Sequence, residues 1–130
     1  IRELVFTGFH QPKNYQIIGS YAFSTCESLT QINLPPSIKE IGERAFYKCK
    51  SLKTVNFPLA YNEVKIGPCA FSYCTILEEV VLNKNIKDIQ NGAFAFSKQL
   101  KKITLPAAFT KQESLEKLSL PNNGLVITVC

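Results

Sequence analysis

Five cysteines and one histidine are the residues of this 130-residue chain whose types could support redox, metal or nucleophilic chemistry. Cys26, Cys49 and Cys74 are separated by 23 and 25 residues, and in a repeating structure that spacing would stack their sulfurs. Three stacked sulfurs suggest a metal or redox site. Structural metal sites, however, need ligands that converge on one point, whereas equivalent positions of a repeat point in parallel. Parallel Cβ directions also disfavour disulfide geometry, and an odd number of cysteines cannot all be paired. The spacing therefore predicts free, mostly buried thiols filling a small slot, with Ser97 and Gln112 continuing the column. Cys69 shares its column with Tyr21, Arg44 and Gly92, a surface-type position, and is the better candidate for a reactive thiol. Cys130, the last residue, is left without a role. His10 is alone in a loop, where a solvated side chain is the ordinary outcome. No Ser or Cys acquires a histidine partner, no phosphate-binding glycine loop occurs, and no carboxylate pair stands out. The expectation is a chain with no catalytic residue, no cofactor and no metal, and thus not an enzyme.

The elements that would hold these residues come from a repeat, visible before any local reading. Gly42 to Pro58 reads GERAFYKCKSLKTVNFP, and altered copies run from Gly19 to Pro35, Gly67 to Leu82 and Gly92 to Pro106. Aligned on their Ala-Phe pairs, the copies put Ala22, Ala45, Ala70 and Ala93 at steps of 23, 25 and 23. Four apolar columns keep that register: Ile18, Ile41, Ile66 and Ile89; Leu29, Leu52, Leu77 and Leu100; Ile32, Val55, Val80 and Ile103; Leu34, Phe57, Leu82 and Leu105. Within Leu-x-x-Ile-x-Leu, the last two apolar residues stand two apart, the spacing of a strand with one buried face. Strands from successive coils can pair into a parallel sheet about 4.8 Å apart. Proline at 35, 58, 106 and 121 then ends the strand by removing a ladder donor. The Ala-Phe segment predicts a tight helical or 3₁₀ turn, with Phe23, Phe46, Phe71, Phe94 and Phe109 stacked as a spine. Ile1, Leu4 and Phe6 match the strand columns after an insertion within residues 7–16 that carries Pro12. Ala108-Phe109, Leu115, Leu118 and Leu120 match them only 15 residues after their predecessors. That spacing predicts a shortened unit that keeps its turn and strand but lacks the return, with Leu125, Val126, Ile127 and Val129 opening another coil.

The pattern Ile-Gly-x-x-Ala-Phe-x-x-Cys-x-x-Leu-x-x-Ile-x-Leu-Pro resembles the BspA-type leucine-rich repeat, most clearly over residues 17–120. Ser97 in place of Cys, Asn83 in place of Pro and the shortened last unit depart from it. The resemblance implies an α/β, horseshoe-like, right-handed solenoid, its parallel sheet on the concave face and short turns or 3₁₀ segments on the convex side. It also implies an adhesin-like surface or secreted protein of a host-associated organism, with a host or extracellular-matrix protein as partner. Residues 1–130 read as one domain, a piece of a longer array. Its units run 1–16 (partial), 17–38, 39–64, 65–86, 87–106, 107–121 (shortened) and 122–130 (partial). An N-terminus inside a repeat predicts that any targeting signal lies upstream.

Composition narrows the classes. Apolar residues make up 45 % and charged ones 19 %, which excludes disorder. No apolar run reaches the ~20 residues of a membrane span. The net charge of +5 raises a nucleic-acid partner. The outward strand positions argue against it, because they are nearly balanced in charge and carry no base-stacking aromatics. Those positions are the candidate protein-binding face: Gln31, Asn33, Thr54, Asn56, Glu79, Val81, Lys102, Thr104, Lys117 and Ser119, with Glu3 and Val5 at the near edge. Tyr73 and Phe96, one column in neighbouring coils, form a second candidate surface on the flank. No Asn-x-Ser/Thr site occurs, so an intracellular location stays open beside a surface one. The alternative function is a spacer or self-associating array that stacks through uncapped solenoid ends.

Overall fold

The structure, a computed structural model, describes residues 3–5, 16–121 and 124–130. It is a solenoid with two parallel sheets. Strands β1 (Glu3–Val5), β3 (Gln31–Asn33), β5 (Thr54–Asn56), β7 (Glu79–Val81), β9 (Lys102–Leu105) and β10 (Val126–Val129) form a six-stranded sheet in that order. Strands β2 (Ile17–Ile18), β4 (Glu40–Ile41), β6 (Val64–Ile66) and β8 (Ile86–Ile89) form a four-stranded sheet from the return segments. The column Ile18, Ile41, Ile66 and Ile89 is the inward face of this second sheet, and all four are buried. A register irregularity between Val64 and Lys65 leaves Lys87 of β8 without a register partner in β6.

In the six-stranded sheet the period-two pattern is realised strand by strand. Ile32, Val55, Val80 and Ile103 are buried at the strand centres, and their register neighbours on either side turn outward. Between the sheets runs the aromatic spine. Phe23, Phe46, Phe71 and Phe94 stack with centroid spacings of 5.5, 5.3 and 5.6 Å and interplanar angles of 9° or less. Such near-parallel rings add about 0.5–1.5 kcal/mol per pair beyond area burial.

The Ala-Phe segment is a run of tandem β-turns rather than a helical or 3₁₀ turn. In the first described coil, Ala22 and Ser24 N–H donate to Gly19 and Tyr21 carbonyls, while the alternate amides of Tyr21, Phe23 and Thr25 donate to Glu43, Ala45 and Tyr47 carbonyls of the next coil. Each second peptide therefore belongs to the turn and each other one to an inter-coil ladder. This alternation requires left-handed backbone at two positions per turn, occupied by Tyr21 and Thr25, Arg44 and Lys48, Cys69 and Tyr73, and Gly92 and Phe96. It also brings the coils close. A Cβ on Gly42 would lie 2.6 Å from Ser20 N, and one on Gly67 would lie 2.9 Å from Glu43 N, so only glycine fits.

The C-terminal unit corrects the sequence register. Residues 107–118 form a 3₁₀ turn (Ala107–Phe109) and a helix α1 (Gln112–Leu118), and the strand that follows is β10. Ile127 pairs with Ile103, a step of 24, so this unit is full-length rather than shortened. Its return is a helix instead of a strand. Leu118, not Ala108, takes the Ala slot: Phe94 N–H donates to the Leu118 carbonyl at 3.2 Å, as Phe71 N–H does to Ala93 at 2.8 Å. Phe109 packs against the core from the 3₁₀ turn; the ring stack runs from Phe23 to Phe94. The expected insertion within residues 7–16, with His10 and Pro12, lies outside the described residues except for Gln16.

Candidate functional site

The cysteine column has a structural role that its spacing alone did not reveal. Cys49 Sγ donates to the Phe23 carbonyl at 3.2 Å and Cys74 Sγ to the Phe46 carbonyl at 3.3 Å. Ser97 Oγ makes the same bond to the Phe71 carbonyl at 2.9 Å and accepts from Cys74 N–H at 3.3 Å. Ser97 is thus an equivalent and not an interruption: the slot calls for a small donor one coil above each Phe carbonyl. Burial pushes the Cys49 thiol up to about 12 and the Cys74 thiol up as well, so neither is a nucleophile near neutral pH. Cys26, Cys69 and Cys130 are also free, half-buried in the first two cases and exposed in the last. Asn83, in the proline slot, donates from Nδ2 to the Phe57 and Pro58 carbonyls at 3.0 and 2.7 Å and accepts from Asn85 N–H at 3.0 Å. The side chain replaces the missing ring by tying strand ends of two coils together.

Two surfaces remain for recognition. On the six-stranded sheet, register places Gln31, Thr54, Glu79 and Lys102 in one row and Asn33, Asn56, Val81 and Thr104 in the next. Of these, Gln31, Asn33, Asn56, Glu79 and Lys102 are exposed, and Thr54, Val81 and Thr104 are half-buried. Lys117 and Ser119 do not extend the rows. Lys117 lies in the last turn of α1 and Ser119 is its C-cap at φ 57°; Val126 and Thr128 take the two positions. Glu3 and Val5 pair with Gln31 and Asn33 through the backbone of β1. Glu79 and Lys102 are register neighbours, yet among the described residues the one ion pair is Arg44–Glu43 at 2.9 Å. Among the described residues, Glu79 and Lys102 are therefore not consumed by pairing with each other.

The second surface is a ledge formed by the turns. Tyr73 and Phe96 stack at 4.5 Å and 14°, and Tyr47 meets Tyr73 edge-on at 5.6 Å. Cations interleave the rings. Arg44 lies 5.9 Å from the Tyr21 centroid and 5.5 Å from that of Tyr47, and Lys48 lies 5.4 and 5.7 Å from those of Tyr47 and Tyr73. Arg44 also donates to Tyr21 Oη and Glu43 Oε2, both at 2.9 Å. The column of Tyr73 and Phe96 was legible in sequence, and Lys48 stands in it one coil earlier; the contacts of Lys48 and Arg44 with Tyr47 were not, because they cross between columns. Lys48, Tyr73 and Phe96 all sit at left-handed backbone, φ 57–60°, which costs a bulky residue about 1–2 kcal/mol against glycine. Ring stacking and cation–π contacts return about 0.5–1.5 and 0.5–1 kcal/mol. The coil gains little net stability from having these side chains there.

A family model for the BspA type leucine rich repeat region, in six copies, matches residues 3–114. Among solved structures, a leucine-rich repeat protein from Bacteroides ovatus superposes with a TM-score of 0.72 at 30 % identity, over 88 % of this chain and 28 % of that one. A leucine rich cell surface protein from Faecalibacterium prausnitzii superposes with a TM-score of 0.70 at 26 % identity, over 87 % of this chain and 29 % of that one. The chain thus spans under a third of the length of either structure. No curated protein matches it. Among the described residues no helix is long and apolar enough to cross a membrane.

Proposed function

The chain belongs to the BspA-type leucine-rich repeat family, and from that premise we propose that it is a protein-binding module acting through the outward rows of the six-stranded sheet. The observation that carries this reading is the contrast between columns. Inward positions repeat one residue class from coil to coil, whereas Gln31, Thr54, Glu79 and Lys102 change at every coil, and the two charges among them make no ion pair with the described residues. Repeat proteins recognise partners across extended surfaces of this kind. Asn33, Asn56, Val81 and Thr104 complete the face; Lys117 and Ser119, on α1, are outside it. The partner is a protein, in the adhesin-like reading a host or extracellular-matrix protein, and the contact is reversible, with no catalysis and no cofactor. A surface location is supported by the likeness to the F. prausnitzii structure, that of a cell surface protein. Immobilised extracellular-matrix proteins and host-cell surface extracts provide the test. Glu79→Lys with Lys102→Glu should weaken capture about tenfold or more, as loss of a central contact does, and unchanged capture would move the site elsewhere.

The alternative reading is a spacer or self-associating array, in which strands of the solenoid pair with those of another copy. Light scattering separates the readings: a strictly monomeric protein at high concentration excludes stacking.

A further inference from the structure

We propose that the ledge of Arg44, Lys48, Tyr73 and Phe96 binds an acidic protein segment, with an apolar side chain of that segment seated against the open face of Phe96. This rests on the protein-binding reading but not on the six-stranded sheet as its site. Phe96 is 55 % exposed; one face is covered by Tyr73, and beside the ring lies a cleft of about 170 Å³ lined by Phe96, Ser97, Lys98, Ser119 and Pro121. That volume is below the roughly 300–1,000 Å³ of small-molecule sites and suits one side chain. The stacked rings turn their faces toward each other, so the ledge has no series of open faces on which successive sugars or bases could lie.

Charge selects the rest of the segment. Lys48 makes no ion pair among the described residues, Lys50 and Lys98 are exposed beside the ledge, and residues 67–76 and 91–99 contain no carboxylate. Lys48 belongs to the coil two below that of Phe96, roughly 10 Å away at one strand spacing per coil. An extended segment spans that distance in about three residues, so its acidic residues would follow or precede the apolar anchor by three or four. Tyrosine and arginine, both present on the ledge, are enriched in interface hot spots.

The probe is a fluorescein-labelled Gly/Ser dodecapeptide with one phenylalanine and two glutamates three and four residues away, read by anisotropy at low salt. Wild type should bind it saturably. Lys48→Glu and Phe96→Ala should each weaken binding about tenfold, Phe96→Tyr should retain it, and Glu79→Lys with Lys102→Glu should leave it unchanged. Retention by Phe96→Tyr separates loss of the ring contact from misfolding. No saturable binding, equal binding of peptides with alanine for the phenylalanine or lysines for the glutamates, or binding of labelled heparin but of no peptide would each overturn the inference. Loss of peptide binding in the Glu79 and Lys102 variant would reassign the contact to the sheet. Absence of peptide binding beside intact, sheet-dependent capture of a protein partner would remove the ledge alone.

Discussion

Gly42→Ala tests the central packing claim, that coil spacing is set by backbone meeting backbone at the glycine column. The new Cβ would lie 2.6 Å from Ser20 N, 2.7 Å from Gly19 C and 2.9 Å from Ile18 O, so the shortest contact is 0.8 Å inside the 3.4 Å at which ordinary contact begins. All three obstructing atoms are main chain, and no rotamer change can move them. Relief requires the two coils to separate locally. That displacement acts on Gly42 N–H···O Ile18 at 2.7 Å and Tyr21 N–H···O Glu43 at 2.9 Å, carrying both to or past the useful limit of such bonds. Two weakened bonds cost about 2 kcal/mol and residual overpacking about 1–3 kcal/mol. Alanine's smaller unfolded-state entropy returns about 0.4–1 kcal/mol.

The expected loss is about 2–5 kcal/mol, a large share of the stability of any single domain. Urea denaturation followed by circular dichroism measures it. Gly67→Ala, whose nearest contact is 2.9 Å, should lose less, and Gly19→Ala, with no described atom within 4 Å, should be tolerated. The order Gly42, then Gly67, then Gly19 is the discriminating result. A Gly42 variant within about 0.5 kcal/mol of wild type, the range of ordinary surface changes, would refute the close-approach reasoning.

Three further outcomes follow from the same geometry. Cys74→Ser should keep the bond to the Phe46 carbonyl, as Ser97 does to Phe71, whereas Cys74→Val removes the donor and should cost about 1–3 kcal/mol; equal melting of the two would remove the hydrogen-bonding role. Burial raises the Cys49 thiol from 9.0 to about 12, so between those values the folded chain keeps a proton that the unfolded chain has lost. Its contribution is complete below pH 9 and falls as pH rises toward 12; urea midpoints of Cys49→Ser should decline less steeply over that window, and identical slopes would contradict the assignment. Thr25 is a β-branched residue at φ 59° with an exposed side chain, so Thr25→Gly should stabilise the fold by about 0.5–1 kcal/mol once the entropy of glycine is deducted. A lower melting temperature would show that the side chain matters more than the strain.

The inward half of the fold was legible because burial acts on residue class. Columns such as Leu29, Leu52, Leu77 and Leu100 reveal the register whatever lies between them. The four-stranded sheet was not read as strands, because segments as short as Glu40–Ile41 hold too few residues to display a period of two. The last unit misled for a sharper reason. In α1, Leu115 and Leu118 lie three apart on one helix face, and with Leu120 they reproduce the Leu-x-x-Ile-x-Leu spacing of a strand. Helical signals were nonetheless present: Glu113 in the first turn, Lys117 in the last, and Gln112 bonded to Glu116 four residues on. Those charges favour a helix through its dipole and its i, i+4 pairs, and they displaced Lys117 and Ser119 from the sheet. On the ledge, the column of Tyr73 and Phe96 was readable, but the contacts of Arg44 and Lys48 with Tyr47 cross between columns and follow only from side-chain direction.

Packing positions and outward positions are separated here at single-residue resolution. In β5, Val55 is fully buried while Thr54 and Asn56, its immediate neighbours, face outward, so a substitution at either flank leaves the packing column untouched. The ledge obeys a different constraint. Its side chains stand on left-handed backbone that the tandem turns impose, where glycine would be the least strained residue, as at Gly92. A surface built on a strand can vary at almost no cost in stability, whereas one built on these turns carries strain for each bulky residue it presents. Aromatic and cationic side chains at Lys48, Tyr73 and Phe96 therefore mark the ledge more strongly than an equal number of exposed residues on the sheet, because the fold itself supplies so little reason for them.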